Sequence, residues 1–247
     1  MNIEGIWNGA GTWDALASVP PFDIYVQKTV TVEPRAGNPE PTIFREGAYR
    51  WRNRVGLRNP GIVAYVEHVL PRLAELRVPV VASCLGYTEA EWRVLLSVLG
   101  SWPSISAVEL NLSCPNTAAC ESPVSIASLA RTAAPDLTLI AKLSPLAHRE
   151  TVRSVALYVD ALCLCNSLPS PFGGVSGAPV HEHALRQVEQ ARRGTSTPIV
   201  GLGGVVDRES YERMRNAGAS AVAIGAANLD GPGLATSLRS GAVTSSP

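Results

Sequence analysis

The feature that most constrains the fold is a regular alternation between short apolar runs and longer segments with helical periodicity. Runs such as Val78–Ser83, Ala107–Leu112 and Ala161–Cys165 have the length and apolar content of buried strands. Between them lie segments with apolar residues three and four positions apart, such as Gly61–Leu76 and His181–Arg193. The two patterns alternate about eight times, which predicts an α/β fold and, within that class, a (β/α)8 TIM barrel.

The length and the composition agree with one such barrel. The chain has 247 residues, close to the roughly 250 of a typical (β/α)8 barrel. We find no linker, so we expect a single domain over residues 1–247. The segment from Pro169 to Pro179 is rich in glycine and proline and is predicted to be a loop. The strands are predicted to begin near Ile6, Ile24, Val78, Ala107, Thr138, Ala161, Pro198 and Ser220.

Charge and cysteine usage argue against several classes of function. The 21 basic and 21 acidic residues cancel, so nothing indicates nucleic-acid binding. No apolar run approaches the roughly 20 residues of a membrane helix, and the N-terminus lacks the regions of a signal peptide. Five cysteines without a Cys-x-x-Cys pair predict neither disulfides nor a metal site. We therefore expect a cytoplasmic protein without a structural metal.

The most informative segment is the end of the fourth predicted strand, Ala107–Leu112. Pro115 cannot continue a central strand, because it has no amide proton. The polar residues Asn111, Ser113, Cys114 and Asn116 should therefore gather at the carboxyl end of that strand, which is the catalytic rim of a barrel. A thiol there can act as a nucleophile, a base or a metal ligand.

The other cysteines of the predicted strands have a simpler interpretation. Most isolated cysteines are small buried hydrophobic residues. That interpretation fits Cys84, Cys163 and Cys165, which lie within apolar runs. It fits Cys114 less well, because Cys114 is surrounded by polar groups.

Lysine is rare in this chain and occurs at two particular places. Of the 21 basic residues, two are lysines, Lys28 and Lys142, and the remaining 19 are arginines. Each lysine closes an apolar, strand-like run, so both should lie at the barrel rim. Two further strand ends, Gly203–Gly204 and Gly225, resemble the glycine-rich phosphate site of many barrels. Together these features favour a phosphorylated cofactor across the barrel mouth, although close strand–helix packing would also explain the glycines.

Taken together, these residues resemble the dihydroorotate dehydrogenases, in particular the soluble class that has a cysteine base and binds FMN on a (β/α)8 barrel. The most specific part of the resemblance is the hexapeptide Asn111–Asn116, and the likeness runs in order from about Ile6 to Leu229. The other matching segments are Lys28–Thr29, Asn53–Leu57, Ala141–Leu143, Asn166–Ser167, Gly173–Gly177 and Gly201–Gly204.

The resemblance implies a role for individual residues. Cys114 would remove a proton from C5 of dihydroorotate while C6 gives a hydride to the flavin. Lys142 would lie near the N1–O2 edge of the flavin. The pyrimidine ring and its carboxylate would be bound by Lys28, Asn53, Val55, Gly56, Leu57, Asn111, Asn116, Asn166 and Ser167. FMN would also contact Ala10, Gly11, Lys28, Thr29, Ser83, Asn111, Cys165, Gly177, Gly203, Gly204, Gly225 and Ala226.

Three functions from different classes remain open at this stage. The first is oxidation of dihydroorotate to orotate, as in pyrimidine biosynthesis, by a homodimer that uses fumarate, a quinone or a separate electron-transfer subunit as its oxidant. The second is an FMN enzyme of the same kind that acts on a different pyrimidine or enamide. The third is a barrel without flavin that binds a phosphorylated ligand.

Overall fold

The computed structural model describes residues 1–15, 18, 21–113, 122–231 and 233–240. Its strands are β1 (Gly5–Asn8), β2 (Tyr25–Val30), β3 (Ile43–Gly47), β4 (Arg50–Asn53), β5 (Val80–Cys84), β6 (Ile105–Leu112), β7 (Leu139–Leu143), β8 (Ala161–Leu164), β9 (Leu168–Ser170), β10 (Gly173–Gly177), β11 (Ile199–Leu202) and β12 (Ala221–Ile224).

The helices alternate with the strands of the main sheet. They are α1 (Gly61–Ala64), α2 (Leu70–Leu73), α3 (Glu89–Gly100), α4 (Pro123–Ala133), α5 (Arg149–Val155), α6 (His181–Arg192), α7 (Arg208–Asn216) and α8 (Gly233–Ser240). A π-helical segment, Tyr65–Val69, joins α1 to α2 without a break. The sequence predicted one regular helix here, and Pro71 explains the difference, because it has no N–H to donate within the helix.

Eight parallel strands form the barrel. Their order is β1-β12-β11-β8-β7-β6-β5-β2, and each neighbouring pair is parallel. A parallel bridge between Trp7 and Ile24 brings the two end strands together. The (β/α)8 barrel predicted from the sequence is therefore confirmed.

The barrel interior has an apolar part and a polar part. Val81, Ala107 and Ile140 belong to one buried cluster. Two residues further along their strands, and therefore on the same face, stand Ser83, Glu109 and Lys142, which are also buried. The interior is thus apolar towards the amino ends of the strands and polar towards their carboxyl ends, where barrel enzymes have their active sites.

A second, antiparallel sheet has the order β3-β4-β10-β9. The expected loop between Pro169 and Pro179 is wrong, because most of it forms β9 and β10. Strand β10 pairs with β4, so that Gly174 lies opposite Asn53. Glycine and proline concealed these strands in the sequence, because backbone pairing rather than an alternation of apolar side chains defines them.

Gly177 ends β10 in a conformation that requires glycine. Its φ of 89° and ψ of −159° lie in a region that other residues hardly occupy. A Cβ atom there would lie 1.9 Å from the carbonyl oxygen of Tyr49.

We expect Gly177→Ala to lower the free energy of unfolding by about 2 kcal/mol, or the melting temperature by about 4–8 °C. Thermal unfolding of Gly233→Ala is the control, because a Cβ at Gly233 would have no atom within 4 Å; equal melting temperatures would contradict the argument.

Candidate active site

A cavity of about 1280 Å³ opens at the carboxyl ends of the barrel strands and extends beneath the small sheet. Most of the site residues that the sequence predicted line it. From the predicted substrate site these are Lys28, Asn53, Val55, Gly56, Leu57, Asn111, Asn166 and Ser167. From the predicted cofactor site these are Ala10, Gly11, Lys28, Thr29, Asn111, Lys142, Cys165, Gly177, Gly203, Gly204, Gly225 and Ala226.

Ser83 is the exception among the described residues. It is fully buried and does not line the cavity. Its hydroxyl donates to Glu109 Oε1 at 2.8 Å and lies 2.9 Å from Thr29 Oγ1. The prediction that Ser83 contacts the cofactor stays a prediction. The Ser83 hydroxyl lies beneath the residues that line the cavity and supports Thr29 through this hydrogen bond.

The two lysines both line the cavity, and among the described residues only Lys142 has an anionic partner. Lys142 is buried, and its Nζ lies 4.0 Å from Glu109 Oε1, which is too long for a hydrogen bond. No other carboxylate in the described part of the chain is paired with Lys142, and none is paired with Lys28. Partial burial lowers the pKa of Lys28 below its ordinary value, and the positive charge of the nearby Arg58 guanidinium lowers it further. Lys142 thus balances the charge of Glu109 without a hydrogen bond to it, so both ammonium groups keep their hydrogen-bond donors for an anionic ligand.

The polar side chains at the strand ends hold one another by hydrogen bonds. Asn111 Nδ2 donates to Thr29 Oγ1 at 3.1 Å, and Ser113 Oγ donates to Asn111 Oδ1 at 2.6 Å. Asn166 Nδ2 donates to Ser113 Oγ at 2.7 Å. Asn111 on β6 is thereby linked to the loop after β8. The carboxamides have fixed orientations, as a binding site requires.

Asn53 reaches the same site from the small sheet. Its Nδ2 lies 3.5 Å from Ser167 Oγ, and the Ser167 amide donates to Asn166 Oδ1 at 2.8 Å. The pairing of β4 with β10 brings Asn53 to the barrel rim, although 114 positions separate it from Ser167 in the sequence. Three carboxamides therefore converge on one cavity.

The three described cysteines are unsuitable as bases. Cys84, Cys163 and Cys165 are buried. Burial raises the pKa of the Cys84 and Cys163 thiols, and it raises the pKa of Cys165 to about 12. Their thiolates are therefore scarce at neutral pH. The predicted base Cys114 and the predicted ligand Asn116 lie outside the described residues, so their assignment rests on the sequence.

The glycines after β11 bring the backbone close to α6. At Gly204, φ is 70° and a Cβ atom would lie 2.6 Å from His181 Cβ. Only glycine therefore fits between the strand end and the first residue of α6. His181 Nδ1 lies 3.0 Å from the Gly203 carbonyl oxygen, so this histidine supports the turn.

Sequence reasoning missed Glu109 as a functional candidate. It is 2% exposed, lies within a strand and approaches both Ser83 and Lys142. A signal was present: Glu109 is the one charged residue in the apolar run Ala107–Leu112. A carboxylate in a buried strand needs partners, which in a barrel lie inside it.

The arginines of the small sheet were also missed. Arg45 and Arg52 line the cavity, and their guanidinium groups stack on Trp51 and Phe172 respectively. Arg52 also pairs with Glu46. The sequence alone did not predict these strands, so it could not place their side chains at the site.

Two further kinds of feature are absent from the described residues. No helix there is long and apolar enough to span a membrane. No group of three or more His, Cys, Asp or Glu side chains comes together there in a way that could hold a metal ion.

Known proteins resemble this chain over most of its length. The family model for dihydroorotate dehydrogenase matches residues 3–241. The dihydroorotate dehydrogenase B (NAD(+)) catalytic subunit of Desulforudis audaxviator is 39% identical over 239 residues, which cover 86% of this chain and 77% of that protein. A putative dihydroorotate dehydrogenase A (fumarate) of Solibacter usitatus is 37% identical, covering 84% of this chain and 76% of that protein.

A solved structure supports the fold. The crystal structure of the Eimeria tenella dihydroorotate dehydrogenase in complex with ferulenol superposes with a TM-score of 0.76, covering 93% of this chain and 78% of that one at 22% identity. The chain belongs to the dihydroorotate dehydrogenase family.

Proposed function

We propose that this oxidoreductase converts dihydroorotate to orotate with FMN bound in the barrel mouth. The observation that supports this most is the content of the cavity: two lysines whose ammonium groups donate to no carboxylate in the described residues, together with the carboxamides of Asn53, Asn111 and Asn166. Ammonium groups suit a phosphate, a carboxylate or a reduced flavin. Carboxamides suit a pyrimidine ring, because each offers both donors and acceptors.

The residues of the cavity fit FMN. Lys142 is a buried cation whose Nζ has no hydrogen-bond acceptor within range in the described chain, and a ligand with an electron-rich edge would supply one. The strand ends at Gly203, Gly204 and Gly225 offer backbone close to the cavity without side chains in the way. When bound, FMN would supply the hydride acceptor for the oxidation of a carbon–carbon single bond.

The side chains of this chain would perform the remaining steps. Lys28, Asn111 and Asn166 would hold the ring and its carboxylate against the face of the flavin. Cys114 would take the proton from C5 as the hydride leaves C6, so that the ring loses two electrons and two hydrogens in total. A thiol is a suitable base if its surroundings lower its pKa from about 8.5.

The lowered pKa of Lys28 leads to a testable pH dependence. Because the lysine loses its charge at a lower pH than usual, orotate should bind more weakly as the pH rises through the alkaline range. We expect a loss of about tenfold or more, the contribution of one hydrogen bond between charged groups. Lys28→Arg keeps its charge and should lack this loss. Orotate dissociation constants measured against pH for both proteins test this, since titration of the ligand is common to both.

Two measurements on the purified protein test the proposed function. The absorbance spectrum should contain the bands of a flavin, at one FMN per chain. Dihydroorotate should then be converted to orotate when fumarate, a quinone or an artificial dye is offered as the electron acceptor. A colourless protein would contradict the cofactor, whereas a flavoprotein inactive with every acceptor would point to a different ring as its substrate.

A further inference from the structure

The buried carboxylate of Glu109 begins a chain of hydrogen bonds whose direction it determines. An ionised carboxylate can only accept, so Ser83 must donate its single hydroxyl proton to Glu109 Oε1, at 2.8 Å. Ser83 Oγ must then accept from Thr29, 2.9 Å away. Thr29 in turn has no proton left for Asn111, so it accepts from Asn111 Nδ2 at 3.1 Å. From Asn111 through Thr29 and Ser83 to Glu109, each side chain therefore donates a hydrogen bond to the next.

The outer part continues with the same direction. Since the amide group of Asn111 faces Thr29, its Oδ1 faces outward and accepts from Ser113 Oγ at 2.6 Å. Ser113, having donated its proton, accepts from Asn166 Nδ2 at 2.7 Å. Asn166 Oδ1 then accepts from the amide of Ser167 at 2.8 Å. The donor or acceptor role of each hydroxyl and carboxamide in this chain of hydrogen bonds thus follows from the carboxylate of Glu109.

The direction of these hydrogen bonds determines which groups of the Asn111 and Asn166 carboxamides can bind a ligand. Among the described residues each side-chain oxygen faces a neighbouring donor and accepts a hydrogen bond from it, while each Nδ2 donates one of its two protons. Both residues line the cavity. Each therefore has an N–H left for a ligand, which suits oxygen acceptors such as ring carbonyls and carboxylates.

We infer that Glu109 and Ser83 are positioning residues that keep the carboxamides of Asn111 and Asn166 turned with their N–H groups towards the ligand, and so make the site selective for carbonyl oxygens over amino groups. The inference rests on the proposed function. Turning either carboxamide round would set donor against donor or acceptor against acceptor within a buried chain, which is costly.

The test compares orotate with two analogues, in each of which one ring carbonyl oxygen is replaced by an amino group. Dissociation constants are measured by calorimetry on the flavin-loaded protein. The wild type should prefer orotate to at least one analogue by about tenfold or more. In Ser83→Ala this preference should fall towards one, because the chain is interrupted and Asn111 can turn its oxygen to the ligand. Glu109→Gln should do the same, because an amide can donate to Ser83 and reverse the chain.

One further variant serves as a control. Ser237→Ala removes another buried hydroxyl, bonded to the Leu234 carbonyl oxygen, and should keep the preference. If Ser83→Ala and Glu109→Gln weaken all three ligands equally, the residues are merely structural and the inference is wrong. If the wild type binds neither flavin nor orotate, the proposed function fails as well.

Discussion

Cys114→Ser should slow reduction of the flavin by dihydroorotate at neutral pH by at least about 100-fold, while FMN and the fold are retained. The reason is that a serine hydroxyl is far harder to deprotonate than a thiol, and loss of a general base commonly costs this much. The remaining rate should rise with pH as the hydroxyl becomes easier to ionise. Rapid-mixing absorbance under anaerobic conditions measures this rate directly.

Cys120→Ser is the matched control, since it removes a thiol six positions further along the same segment. It should reduce its flavin at the wild-type rate. The three buried cysteines cannot replace Cys114, because burial raises the pKa of each thiol. Flavin reduction in Cys114→Ser as fast as in the wild type would mean that the cysteine is not the base.

Lys142→Met should destabilise the protein by about 3–5 kcal/mol and weaken the retention of FMN. Glu109 and Lys142 are buried, with 3% and 6% of their side chains exposed. Removal of the ammonium leaves an uncompensated buried carboxylate, which is the costly outcome for such a pair. Denaturant unfolding gives the stability, and the ratio of flavin to protein absorbance after gel filtration gives the retention.

A double variant tests whether the loss of stability comes from the ion pair or from side-chain packing alone. Lys142→Met combined with Glu109→Gln should recover part of the lost stability, because no charge is then left unpaired. Arg93→Met is the surface control: its partner Glu89 is half exposed, and the loss should stay below about 1 kcal/mol. If the double variant is as unstable as the sum of its two single variants, Glu109 and Lys142 do not interact.

The barrel could be predicted because its signal is repeated. Eight apolar runs that alternate with amphipathic segments leave few other arrangements, and the carboxyl ends of parallel strands share one edge. The polar residues Lys28, Asn111 and Lys142 could therefore be placed at one rim without knowledge of any contact. The structure confirms this placement, since all three line the cavity.

The small sheet and the interior of the site could not be predicted in the same way. Strands β9 and β10 consist largely of glycine, proline and serine, and backbone pairing with β4 holds them. Sequence patterns carry little information about such pairing. The depth of Ser83 beneath the cavity lining could not be predicted, because the end of a strand indicates the rim of the barrel but not how deep a side chain lies. Glu109 was missed, because its partners come from two other strands.

The central claim is most directly tested by anaerobic titration of the purified protein with dihydroorotate. We predict that the flavin absorbance near 450 nm will bleach in proportion to the dihydroorotate added, with one orotate formed per flavin, a stoichiometry set by the two-electron oxidation. The flavin should regain its colour when a suitable oxidant is added. A flavin that remains oxidised under excess dihydroorotate would contradict the proposed function.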